Sequence, residues 1–186
     1  MVTKIFTVIP IVVIVFAGIV ALQSSEFRVA RTIKMRAPAS AVFAHVNDFH
    51  KWEAWNPWGK LDPTMKQAYH GGPAGSGAVY TWTGNKEVGE GRMTIVESRP
   101  NDMIRINLEF FRPFAATNVA EFTFRPEGGQ TAVTWSMTGK NNFIAKAIHL
   151  FMNMDRMIGA QFEQGLAQMK SVVEAASNKS GVTLNH

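Results

Sequence analysis

The chain contains no cysteine. Disulfide staples, thiolate nucleophiles and sulfur-ligated metals are therefore excluded. Histidine is scarce, at five of 186 residues. His45, His50, His70 and His149 stand at spacings that match no metal-ligand motif, and no H-E-x-x-H pair occurs. Basic residues form no dense block. The formal net charge of +5 is spread over the chain, whereas a nucleic-acid face concentrates its lysines and arginines. The glycine-rich stretch GGPAGSG at 71–77 is followed by no Lys-Ser/Thr pair, so it is no phosphate cradle. It reads as a loop with tight turns, or as a movable lid over a cavity. Repeats and low-complexity tracts are absent. The expectation is one domain with no cofactor, no metal and no nucleic-acid partner.

One feature is abundant. Residues 5–22, IFTVIPIVVIVFAGIVAL, carry no charge. As a helix this run spans about 27 Å, close to the hydrocarbon thickness of a bilayer. The reading is an N-terminal transmembrane anchor over residues 1–23, with a cleaved signal peptide as the rival. Lys4 precedes the run, and Arg28, Arg31, Lys34 and Arg36 follow it. That bias places the body on the cytoplasmic side of a single-pass membrane protein, with the lipid bilayer as a partner.

After the run the two-residue period of strands takes over. In FRVARTIKM, Phe27, Val29, Ile33 and Met35 share a face, which Arg31 interrupts. A short helix at 39–47 and a tryptophan-rich turn, DFHKWEAWNPWG, follow. From 65 to 138 the pattern is mostly that of antiparallel strands. Ile104, Ile106, Leu108 and Phe110 alternate with polar residues, as do Ala120, Phe122 and Phe124, and Val133, Trp135 and Met137. The period then switches to 3.6. Ala147, Phe151, Met154, Ile158, Phe162, Leu166, Met169 and Val173 form one stripe, which predicts a single long helix from 141 to about 177. A sheet with one wet face must cover the other, and only this helix is long enough to do so.

Several of these segments resemble the START-like, or Bet v 1-like, superfamily (SRPBCC), which includes polyketide cyclase and dehydrase relatives. Phe27 to Pro38 resembles its opening strand ending in "AP", with Val42-Phe43 on the first helix. Trp52, Trp55, Pro57 and Trp58 resemble a W-x-x-W-x-P-W stretch. Gly75 to Asn85 resembles G-x-G-x-x-Y-x-W-x-G-N, and Thr131 to Gly139 resembles T-x-V-x-W-x-M-x-G. The resemblance covers roughly residues 27–176, and is greatest to bacterial members with an N-terminal membrane helix. It implies an α+β helix-grip fold, in which a curved antiparallel sheet of about six to seven strands wraps a long C-terminal helix. It also implies a ligand cavity between the two. It carries no shared catalytic set.

The expected organisation is an anchor at 1–23, a helix-grip domain at 24–178 and a frayed tail at 179–186. The expected function is binding of a small hydrophobic molecule, a lipid or aromatic metabolite, next to the membrane. Trp55, Trp58, Tyr80, Trp82, Phe110, Phe122, Trp135, Phe151 and Met154 are the candidate ligand contacts. Each is equally suited to an ordinary apolar core. Two alternatives stay open. One is a cyclase or dehydrase-type enzyme, for which Asp155 is the candidate acid, base or polar anchor. The other is a chaperone-related protein-interaction module, whose protein partner the sequence does not specify.

Overall fold

A computed structural model describes the backbone of residues 2–182 and the side chains of residues 10–177. The expected tail at 179–186 lies outside the described side chains. Seven strands form one antiparallel sheet: β1 (Glu26–Met35), β2 (Lys66–His70), β3 (Val79–Thr83), β4 (Glu90–Arg99), β5 (Met103–Arg112), β6 (Ala116–Glu127) and β7 (Gln130–Lys140). Their order is β1-β7-β6-β5-β4-β3-β2. After β1 the chain crosses to the far edge through α2 (Ala39–Asn47) and two short 3-10 turns. It then meanders back strand by strand until β7 pairs with β1. Register shifts at Glu90/Gly91 and Ile95/Glu97 bend the β4–β5 pair, and such bulges curve a sheet.

The concave face carries the alternation expected for β5, β6 and β7. Ile104, Ile106, Ala120, Phe122, Phe124, Val133, Trp135 and Met137 are all buried. The opposite face carries ion pairs, including Arg92 with Glu109, and Arg105 with Glu97 and Glu121. Helix α4 (Met154–Val182) covers the concave face, with Phe162, Leu166, Met169 and Val173 each at most 2% exposed.

Two expectations require correction. The single helix expected from 141 onward is two helices, α3 (Phe143–His149) and α4. An asparagine cap opens each. The Asn142 side chain accepts from the Ala145 amide at 2.8 Å, and the Asn153 side chain accepts from the Arg156 amide at 2.9 Å. Asparagine at these positions satisfies free N–H groups that only a new helix start presents.

The second correction concerns the N-terminal helix, α1 (Val2–Leu22). Among the described residues no helix is long and apolar enough to cross a membrane. This overturns the expectation of a single-pass membrane protein with a cytoplasmic-facing body. The last turns of α1 are packed on the body. Val20 is fully buried, Phe16 and Phe151 stack with centroids 6.3 Å apart, and Lys146 Nζ donates to the Ala21 carbonyl.

Arg31, which interrupts the apolar face of the first strand, sits midway along β1, an edge strand of the sheet, opposite Trp135. It reaches α4, where its Nε donates to Glu163 Oε1 at 2.6 Å and its Nη2 to Asp155 Oδ2 at 3.0 Å.

Candidate functional site

Between the sheet and α4 the core does not close. A cavity of about 370 Å³ remains, within the range of small-molecule sites. Its floor is one register row across the sheet. Tyr80 on β3 lies opposite Met93 on β4, then come Leu108 on β5, Asn118 on β6, Gly139 on β7 and Phe27 on β1. Side chains that face one another across neighbouring strands point to the same side of a sheet. A second row, Trp82, Gly91, Phe110 and Ala116, extends the floor. Gly91 seats the Trp82 ring, since a Cβ there would lie 2.5 Å from the indole. Trp58 lines one side, and Met154, Ile158 and Phe162 supply the roof from α4.

Of the residues expected to contact a ligand, Trp58, Tyr80, Trp82, Phe110, Trp135 and Met154 line this cavity. The other three do not reach it. Trp55 is fully buried among Trp52, Phe122 and Trp135, and its indole N–H donates to the His45 carbonyl at 3.2 Å. Phe122 is fully buried beneath Trp135, stacked with centroids 4.8 Å apart. Phe151 falls between α3 and α4 and is 79% exposed. It belongs to neither helix, so its place in the helical stripe has no structural counterpart.

Asp155 is also absent from the cavity lining. Its carboxylate is bound to the Arg31 guanidinium, which holds it below the usual carboxylate range. The ionisable residues that line the cavity are Tyr80, Glu87 and Lys140. Glu87 and Lys140 are exposed at the rim. Burial pushes the Tyr80 hydroxyl far above the ordinary phenol range, so it stays neutral. Among the described residues no group of three or more histidine, aspartate or glutamate side chains stands ready to hold a metal ion.

A neighbouring hollow of about 260 Å³ shares Trp52, Asn56, Tyr80 and Met93 with the main cavity. It lies against the turns after α2 and is more polar, with Glu53, Lys60, Gln67 and Tyr69 in its walls. The glycine-rich loop at 71–77 lines neither space. Its Gly75 amide donates to the Asn47 carbonyl and its Gly77 amide to the Ile95 carbonyl.

One cavity residue escaped the sequence reading. Asn118 is 8% exposed, lines the cavity, and its side chain makes no hydrogen bond among the described residues. The signal was present, because Asn118 shares the two-residue parity of Ala120, Phe122 and Phe124.

The family model described as "Polyketide cyclase / dehydrase and lipid transport" matches residues 26–174. The chain belongs to this family. No curated protein matches the sequence. Several solved structures share the fold. TTHA0849 from Thermus thermophilus is 17% identical with a TM-score of 0.58, over 81% of this chain and 99% of its own. The Aha1 dimer from Colwellia psychrerythraea is 11% identical with a TM-score of 0.56, over 80% of this chain and 96% of its own. The di-domain ARO/CYC StfQ of the steffimycin biosynthetic pathway is 11% identical with a TM-score of 0.59, over 82% of this chain and 52% of its own. At these identities the likeness is one of fold. With the seven-stranded sheet and its covering helix, it establishes the helix-grip architecture of the Bet v 1-like superfamily.

Proposed function

We propose that this family member binds a small, largely apolar molecule in the cavity between the sheet and α4. The observation that carries the reading is the 370 Å³ space itself, walled by Trp58, Trp82, Phe110, Leu108 and Met154. An ordinary core closes to a packing density that leaves few voids larger than a water molecule. Here, with bulky aromatics available on both layers, the row from Tyr80 to Phe27 still leaves room for a ligand. The family description, with its cyclase and lipid-transport members, supports the same class of guest.

The lining favours binding over acid–base chemistry. A catalytic acid or base needs a titratable group held in the site with a partner. Among the described lining residues there is no histidine, aspartate or arginine, and the one carboxylate, Glu87, is exposed. Native mass spectrometry of the purified chain tests the proposal. A retained small molecule that is lost when Leu108→Trp fills the cavity supports it. Failure to retain any molecule, together with failure of an apolar fluorophore such as N-phenyl-1-naphthylamine to bind saturably, refutes it.

A further inference from the structure

Two polar groups on residues of the cavity lining have no hydrogen-bond partner among the described residues, the Asn118 amide on the floor and the buried Trp135 Nε1, and of these Asn118 can both donate and accept. Its amide lies over Gly139, the facing residue on β7, so closely that a Cβ at 139 would stand 2.1 Å from Oδ1. Glycine at 139 is thus what leaves space for the amide on the cavity floor. Leu108 flanks it on β5 and Phe27 lies beyond Gly139 on β1, and neither side chain can hydrogen-bond. The amide therefore stands in an apolar setting with its donor and acceptor capacity unused among the described residues. An amide that faces the cavity without a protein partner can exchange water for a ligand group, and a hydrogen bond so formed is worth roughly 0.5–1.5 kcal/mol net.

We propose that Asn118 is the orienting anchor of the cavity, and that its ligand carries an uncharged hydroxyl or carbonyl oxygen on an apolar body. An amide can donate to a carbonyl and both donate to and accept from a hydroxyl. The flanking walls match the body, since the floor on either side of Asn118 is leucine and phenylalanine. Lys140 and Glu87, the charged residues of the lining, are exposed at the rim and leave the floor uncharged. The inference rests on the cavity reading above and narrows it to a class of guest.

The test compares two probes that differ by one hydroxyl, 2-naphthol and naphthalene, in fluorescence titrations of the full chain. The wild type is expected to bind 2-naphthol about tenfold more tightly. Asn118→Leu, close in shape but without the amide, is expected to bind both equally, with naphthalene held at least as well as by the wild type. Gly139→Ala, which pushes the amide aside without deleting it, is expected to reduce the preference too, and serves if Asn118→Leu fails to fold. Equal binding of the two probes by the wild type overturns the anchor but leaves the cavity reading intact. A preference that survives undiminished in both variants overturns it as well. Binding of neither probe overturns the cavity reading, and the anchor with it.

Discussion

The Gly159 position on α4 lies directly against the guanidinium of Arg31 on β1, where an added Cβ would stand 1.9 Å from Nη2. Arg31 cannot simply swing away, because Asp155 and Glu163, four residues to either side on the same helix, hold it from both ends. A glycine in mid-helix lowers helix propensity, and here it lets a strand arginine pin the helix that roofs the cavity.

Gly159→Ala tests this contact. At an unconstrained mid-helix site the change is worth about 1 kcal/mol in favour of folding. At 159 the sign is expected to reverse, with a lower Tm, since the guanidinium must give up its carboxylates. In an Arg31→Ala background the same substitution should raise Tm. A double-mutant cycle by thermal denaturation measures the coupling.

The stack of Phe162 on Trp135 joins the helix to the sheet, with centroids 4.1 Å apart and planes within 9°. Phe162 is 2% exposed. Phe162→Ala is expected to cost about 3 kcal/mol, in the range for truncating a buried aromatic. Urea denaturation followed by tryptophan fluorescence gives the value. Because Phe162 also lines the cavity, the variant should bind apolar probes with altered affinity.

His45 supplies a pH dependence. Its Nδ1 is buried without a partner. Burial, and next the charge of Lys51, lower its pKa, with Asp48 opposing. The folded protein thus favours neutral His45, while the unfolded chain takes up the proton near pH 6.5. This contribution to stability is complete above that pH and is lost as pH falls toward the lowered folded value. The slope of Tm against pH below 6.5 should flatten in His45→Leu. An unchanged slope would show that the protonation of His45 is unaffected by folding.

Leu108→Trp separates a cavity from a core. In a filled interior the larger side chain would cost roughly 1–3 kcal/mol by overpacking. With 370 Å³ free beside Leu108, the urea midpoint is expected to stay close to that of the wild type while probe binding is lost.

Much of this architecture is legible in the sequence because it is local. The two-residue period places Phe122, Phe124, Val133 and Trp135 on the inner face, and the 3.6-residue stripe from Ile158 to Val173 marks the covering helix. The role of Arg31 is not legible, because its partners lie 124 and 132 residues away. On the strand alone it reads as a fault in an apolar face. The division between α3 and α4 is concealed by chance, since Ala147 and Phe151 extend the stripe across the Asn153 cap. Within the site, parity says which side chains point inward but not how deeply each is overlaid. Phe122 and Tyr80 both point inward, yet Trp135 covers Phe122 while Tyr80 meets the cavity. Asn118 is hidden among more conspicuous aromatics, although polarity on an inward position is the rarer and more informative signal. The uncharged N-terminal run misleads in the opposite way. Its composition suggests a membrane span, and composition alone does not reveal that Val20 and Phe16 pack against the body.

The central claim is that the space beneath α4 is a ligand site, and titration calorimetry of N-phenyl-1-naphthylamine into the wild type and Leu108→Trp tests it most directly. One saturable site in the wild type that disappears in a stably folded Leu108→Trp is the predicted result. No saturable binding to the wild type, or equal binding to both proteins, would contradict it.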